Sequence, residues 1–239
     1  MTAAAQRDIN GRGAYPLRVA AAYAHMPAQT VNRWVKGYDY KHRGERRHSH
    51  PISFLAYQGG DVDTTVLDFE QLLTLLLVRA FKTRGLGLPT IKKAAAKAQQ
   101  VYDLRNPFVS NRFRSDGNKI FIDLGSTGQE RQLINVLSDQ HEFRRIVEPS
   151  LFEDVVFADD HAREWWPLGR DHSVVVSPGR QFGAAYIVGK GTRTDIIAEA
   201  VAAERTSETV IADVADWFGL TPDEVRDAVR FEGRWPDQA

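Results

Sequence analysis

Apolar residues fall into a helical rhythm early in the chain, in the stretch LRVAAAYAHMPAQTVNRWVKG at positions 17–37. Pro16 suits a first helical turn, where a missing N–H costs nothing, so a helix is predicted over Pro16–Ala24. Ala20, Ala21 and Ala24 keep that helix slim enough for close packing. His25-Met26-Pro27 makes a turn, and a second helix is predicted over Ala28–Lys36, stopped by Gly37. Within it Val31, Trp34 and Val35 share one face by the i, i+3, i+4 rule. The other face carries Gln29, Thr30, Asn32, Arg33 and Lys36.

Tyr38–Tyr57 then sets aromatic and β-branched residues on either side of a Gly-containing basic centre. That pattern predicts a hairpin with Lys41, Arg43, Arg46 and Arg47 near its tip. Asp68–Thr83 reads as a helix apolar nearly all round, destined for a core or a dimer interface. RGLGL breaks it, and Pro89 opens another helix to about Tyr102, with Lys92, Lys93 and Lys97 exposed. A hairpin is expected to turn at Asp116-Gly117, with Arg112 and Arg114 on one face. Gln129–Asp139 reads as helical. FEDVVFA, AREWWPL and HSVVVSP read as short strands. The Gly-rich run from Ser177 is expected to be irregular or a small hairpin. Three helices follow at about Thr194–Glu204, Ser207–Phe218 and Pro222–Glu232. The last is marked by Thr221 as N-cap, Pro222 at N1 and Glu224 at N3, a capping box.

The expected fold class is α+β. Residues 1–103 form a winged helix-turn-helix with dimerisation helices. Residues 104–176 form a middle segment of short strands, part of it a sheet continuing into the last domain. Residues 177–239 form a three-helix domain.

Composition adds boundaries. Apolar residues make up 43% of the 239, enough for a real core. There is no cysteine, which removes disulfides, thiol nucleophiles and thiolate metal sites and fits a cytoplasmic setting. The first residues lack the apolar core of a secretion signal, and LLTLLLV at 72–78 is too short to span a bilayer. The formal charge is zero, but residues 1–120 hold 19 basic and 9 acidic side chains, whereas residues 121–239 hold 12 and 22. A basic half suits a polyanion, and an acidic half is repelled by one.

That split distinguishes two helix-turn-helix patterns. In the N-terminal one, Gln29 and Asn32 suit adenine, Arg33 suits guanine, and Lys36 reaches a phosphate, with Thr30 beside them. Lys41, Arg43, Arg46 and Arg47 are placed to reach backbone or minor groove. The C-terminal one ends in TPDEVRDAVRFE and carries Asp223, Glu224, Asp227 and Glu232, with Glu208, Asp213 and Asp216 on the preceding helix. Such a surface is expected to bind protein rather than DNA, or to stabilise a dimer.

Two stretches carry family resemblances. LRVAAAYAHMPAQTVNRWVKGYDY, with the later GLGLPTIKKAAAKAQ, resembles a MerR-type winged helix followed by paired helices. The chain from Ser177 to Phe231 resembles a domain-of-unknown-function family found in bacterial antitoxins. The match lies in Gly191-Thr192-Arg193 and in the run Gly219 to Phe231. Ala185 and Asp195 stand where that family usually has proline, and two extra residues precede the Gly-Thr-Arg. Together the parts look like a VapB-type antitoxin. The resemblance implies a PIN-domain ribonuclease toxin as partner and repression of its own operon through DNA binding; the all-round apolarity of Asp68–Thr83 separately predicts a homodimer or larger assembly. It implies inhibition by an arginine buried among the toxin's metal-binding carboxylates, or by an acidic surface over the RNA groove. The candidates for toxin contact are Arg226, Arg230 and Arg234, with Phe231 and Trp235 as apolar anchors. Residues 103–176 match no family.

Enzymatic readings are weaker, and no catalytic residue or cofactor is expected. His42, His48 and His50 lack the spacing of a metal site. Asp159, Asp160, His161 and Glu164 have no supporting second cluster. Gly189-Lys190-Gly191-Thr192 lacks the full phosphate-loop spacing. Two other readings stay open: a stand-alone MerR-like regulator with a small ligand held near Trp165 and Trp166, and a protein-interaction adaptor that does not bind DNA.

Overall fold

In a computed structural model of the chain, residues 12–52, 55, 62–83, 85–102, 106–109, 113–115, 120–127, 130–135, 141–144, 154–158, 161–204 and 209–233 are described. Between 110 and 150 the description is of the backbone. The chain divides into two compact units. One comprises residues 16–152 with 157–162. The other comprises residues 153–156 and 163–239 with the segment ending at Tyr15.

The first unit opens on α1 (Leu17–Tyr23) and α2 (Ala28–Lys36). The turn between them is a Schellman motif. His25 adopts φ 47°, its N–H meets Ala22 O at 2.7 Å, and the Met26 N–H meets Ala21 O at 2.9 Å. α2 buries Val31, Trp34 and Val35, as the spacing predicts. Pro16 sits at the N-cap of α1 rather than inside its first turn. A hairpin follows, β1 (Tyr38–His42) paired antiparallel with β2 (Glu45–Ser49). It is shorter than the predicted Tyr38–Tyr57.

α3 (Phe69–Thr83) starts at a reciprocal cap. The Gln71 N–H donates to Asp68 Oδ1 at 2.8 Å, and the Asp68 N–H donates to Gln71 Oε1 at 2.9 Å. Its Phe69, Leu72, Leu73, Leu75, Leu77, Val78 and Phe81 are each at most 5% exposed. Burial inside one chain therefore accounts for the all-round apolarity, and a dimer no longer follows from this helix. α4 (Leu88–Tyr102) buries Ile91, Ala94, Ala95 and Ala98. Lys92 is not freely exposed as expected. Its Nζ donates to His50 O, and desolvation pulls its pKa below the ordinary lysine value.

Beyond a short 3₁₀ turn the backbone forms an antiparallel meander. Its strands, in spatial order, are β3 (Phe113–Ser115), β4 (Ile120–Thr127), β5 (Glu130–Asn135) and β6 (His141–Arg144). The β3–β4 pairing matches the predicted hairpin, and the Asp116-Gly117 turn itself lies outside the described residues. The helix predicted for Gln129–Asp139 is wrong: Glu130–Asn135 is a central strand paired on both edges. Glu, Arg, Gln and Leu are good helix formers, but ladder hydrogen bonds on both sides override that local preference.

A further sheet has the order β10, β9, β8, β7, formed by Ala185–Ile187, Val174–Val176, His161–Trp165 and Val155–Ala158, of which β9, β10 and residues 163–165 of β8 belong to the second unit. The β9–β10 pairing crosses the expected boundary at 176/177, so β9 shares one core with β10 and the helices after it. Against β9 and β10 pack α5 (Thr194–Ala203) and α7 (Pro222–Glu232), and α6 (Val210–Phe218) packs on those two helices. Ile197, Val214, Val225, Ala228 and Phe231 are buried. Gly219 ends α6 at φ 63°, with the Leu220 N–H reaching Ala215 O. No helix among the described residues is long and apolar enough to cross a membrane.

The capping box of α7 is present in both directions. The Thr221 N–H donates to Glu224 Oε2 at 2.7 Å, and the Glu224 N–H donates to Thr221 Oγ1 at 3.3 Å. Thr221→Ala is expected to lower the unfolding free energy of this unit by about 1 kcal/mol. Urea titration followed by tryptophan fluorescence reads this directly, and an unchanged midpoint would show that the cap is idle.

Candidate functional site

α2 turns Gln29 and Arg33 to solvent, while Thr30, Asn32 and Lys36 are half-buried. Asn32 departs from expectation. Its Oδ1 is buried and meets no hydrogen-bond partner, so pairing with adenine requires the carboxamide to rotate outward. The Arg33 guanidinium lies 5.6 Å from the centre of the Tyr38 ring, within cation–π range. Tyr38 in turn contacts Tyr40, with ring centres 5.8 Å apart.

Gly37 makes the junction between helix and hairpin possible. Its φ is 78°, and a Cβ there would stand 2.5 Å from the Ser49 carbonyl oxygen. Only glycine permits that approach. The tip is a two-residue turn of Arg43 and Gly44, both at positive φ, as a hairpin twist demands. Every residue from Tyr38 to His48 is exposed.

The register sorts the side chains. Tyr38, Tyr40, Arg47 and Glu45 share one face, with Tyr40 opposite Arg47. Asp39, Lys41, Arg46 and His48 share the other, with Lys41 opposite Arg46. Asp39 is engaged by His48 Nδ1 at 2.7 Å, and Glu45 by Arg47 at 3.4 Å. No described carboxylate pairs with Lys41, Arg43 or Arg46. Like charges set directly across a ladder are destabilising, and a lone two-stranded ribbon is marginal in water. An anion laid along Lys41 and Arg46 would relieve the repulsion. The sequence reading found the four cations but passed over Tyr38 and Tyr40. The alternation Tyr-x-Tyr at the start of the hairpin was the available signal.

The C-terminal candidates fare differently. Arg226 is exposed and tied to Asp223 at 2.6 Å. Arg230 is exposed with no ion-pair partner among the described residues. Phe231 is 0% exposed, so it holds the helical core and is not an outward anchor. Its place at the third position of the Val225, Ala228, Phe231 stripe explains why. Arg234 and Trp235 lie outside the described residues.

The acidic surface expected on α7 is also reduced. Glu224 serves the cap. Asp227 accepts from the Ser173 N–H at 2.9 Å and meets His172 Nδ1 at 2.9 Å, pinning α7 to the approach of β9. Glu232 accepts from Thr194 Oγ1 at 2.5 Å. Of the four acids, Asp223 alone is left on the outside, beside Arg226. Among the set-aside clusters, Asp159 and Asp160 fall outside the described residues, and His161 lies 3.6 Å from Glu70. No group of three metal-ligating side chains occurs among the described residues.

No family model matches the chain. It is 28% identical over 238 residues to a Mycobacterium tuberculosis protein described as "Putative antitoxin VapB45", across 90% of this chain and 92% of that one. The crystal structure of Rv2018 from Mycobacterium tuberculosis aligns with 90% of this chain and 96% of its own, at a TM-score of 0.49 and 20% identity.

Burial raises the Glu232 pKa above the ordinary carboxylate range. Asp195 and Glu199 push the same way, while the Thr194 hydroxyl and Arg193 oppose. A carboxyl raised in the folded state keeps its proton longer there, so stability falls as pH rises from the unfolded value through the folded one. Glu232→Gln preserves an acceptor for Thr194 and carries no charge. It is expected to shrink the drop in Tm between about pH 4 and about pH 7. A drop equal to that of the unaltered chain would remove Glu232 from the pH response.

Proposed function

We propose that this chain is a VapB-type antitoxin that binds DNA through its N-terminal unit and a toxin ribonuclease through its C-terminal unit. The observation that carries the reading is the end-to-end likeness to a protein described as an antitoxin, with 90% and 92% of the two chains matched. The likeness spans both units, so it is not the mark of one shared module.

The DNA half of the proposal draws on the exposed hairpin beside α2. In this reading α2 enters the major groove. Gln29 and Arg33 face base edges, and Lys36 and the hairpin cations face phosphates. Tyr38 holds the Arg33 guanidinium in place, which lowers the entropy lost on binding. The protein acts by binding, with no catalytic step of its own, in the cytoplasm. Its products of binding are a repressed operon and a silenced toxin.

The partner half is tested by co-expression with the product of the adjacent reading frame. Growth arrest by that product alone, rescue by this chain and a co-purifying complex are expected together. A harmless neighbour, or one that never associates, ends the antitoxin reading. The DNA half has its own test on operator fragments. Arg33→Ala is expected to cost ~1–3 kcal/mol and relax selectivity at one base position. Lys41→Ala with Arg46→Ala is expected to weaken all sequences alike and lower the slope of log K against log salt by about 2. Unchanged slopes would take the hairpin off the phosphates.

A further inference from the structure

Phe182 is 84% exposed, whereas Trp217, the other conspicuously exposed aromatic among the described residues of this unit, is 61% exposed. It stands on a backbone that L-residues avoid: Gln181 has φ 48°, Phe182 φ 55° and Gly183 φ 92°. Such strain persists only where the surroundings over-determine it, and here they do. The Phe182 carbonyl accepts from the Ala14 N–H at 3.1 Å, and the Gly183 N–H reaches Arg180 O at 2.8 Å. Gln181 Nε2 donates to Gly191 O at 2.8 Å, tying the loop to the turn after β10. The Tyr15 ring occupies the space a Cβ on Gly183 would need. The loop is thus fixed at four points, yet none of them involves the phenyl ring, which is held out into water.

The ring has a charged frame. Arg180 flanks it in sequence, and Lys190 lies in the turn that Gln181 grips. Both are exposed, and neither has an ion-pair partner among the described residues. Val188, in the same turn, is 41% exposed. This is a small cationic, apolar patch within the otherwise acidic half of the chain. A fixed aromatic on a rigid loop is the form that interface anchors take, because little freedom remains to be lost.

We infer that the loop at 180–183 is a preformed docking point, with Phe182 entering an apolar pocket on an acidic protein partner and Arg180 and Lys190 facing the carboxylates around that pocket. The inference rests on the antitoxin reading, in which the partner is the toxin. It moves the anchoring role from the tail and Phe231 to a loop on the opposite side of β10 in sequence.

The experiment compares full-length variants for binding to the purified product of the adjacent reading frame by calorimetry, with Tm recorded for each. Phe182→Asn keeps a residue that tolerates left-handed backbone and deletes the ring. It is expected to weaken binding by about tenfold or more without lowering Tm. Phe182→Gly, which relieves the strain at that position, is expected to lose affinity likewise. Arg180→Glu with Lys190→Glu is expected to weaken binding further at low salt than at high salt. Phe182→Asn and Phe182→Gly both binding within about twofold of the unaltered chain would overturn the inference while leaving the antitoxin reading intact. No complex with the unaltered chain would overturn both.

Discussion

Left-handed backbone, held in place by hydrogen bonds, aims every candidate surface of this chain. His25 swings α2 away from α1. Gly37 turns the chain out of α2 and into the hairpin, and Arg43 with Gly44 folds the hairpin back. Gln181, Phe182 and Gly183 lift one aromatic ring clear of the second unit. At each of these points a side chain is displayed because the backbone has been forced, at a cost of roughly 1–2 kcal/mol for each non-glycine residue. The cost is offset by the packing of the helices and strands on either side.

That economy explains what was legible in the sequence. α2 and α7 were readable to the residue, because spacing, caps and stop signals agreed. The hairpin tip was readable from its basic Gly-containing centre. β5 was not: its residues prefer helix, and the two strands that claim it are known only once the meander is folded. Phe231 and Glu232 were misplaced for a related reason. Periodicity tells which helix face is apolar, but not that a neighbouring element will also enclose the acid beside it. Phe182 gave no signal, since a lone aromatic in a Gly-rich run is mute until its φ is seen.

Charge behaves in the same two-layered way. The contrast between a basic first half and an acidic second half is a property of composition. Its expression at the surface depends on which charges are already spent. In the hairpin the few acids are used locally, by His48 and Arg47, and the surplus cations are left outward. On α7 the reverse holds, and three of the four acids are turned to internal work as cap, strut and hydroxyl acceptor. Those three carboxylates are thus less available to an outside partner than the letters imply.

The hairpin has a further side. It is a sheet of two strands, so both of its long edges carry backbone N–H and C=O groups with no neighbouring strand among the described residues. Such ribbons invite zippering with copies of themselves. Lys41, Arg43, Arg46 and Arg47 set like charge along both strands, and two approaching arms repel before their edges meet. The same cations that would grip a polyanion thus act as gatekeepers against self-association. A variant stripped of them for the sake of tidiness would expose a bare β-edge and trade solubility for it.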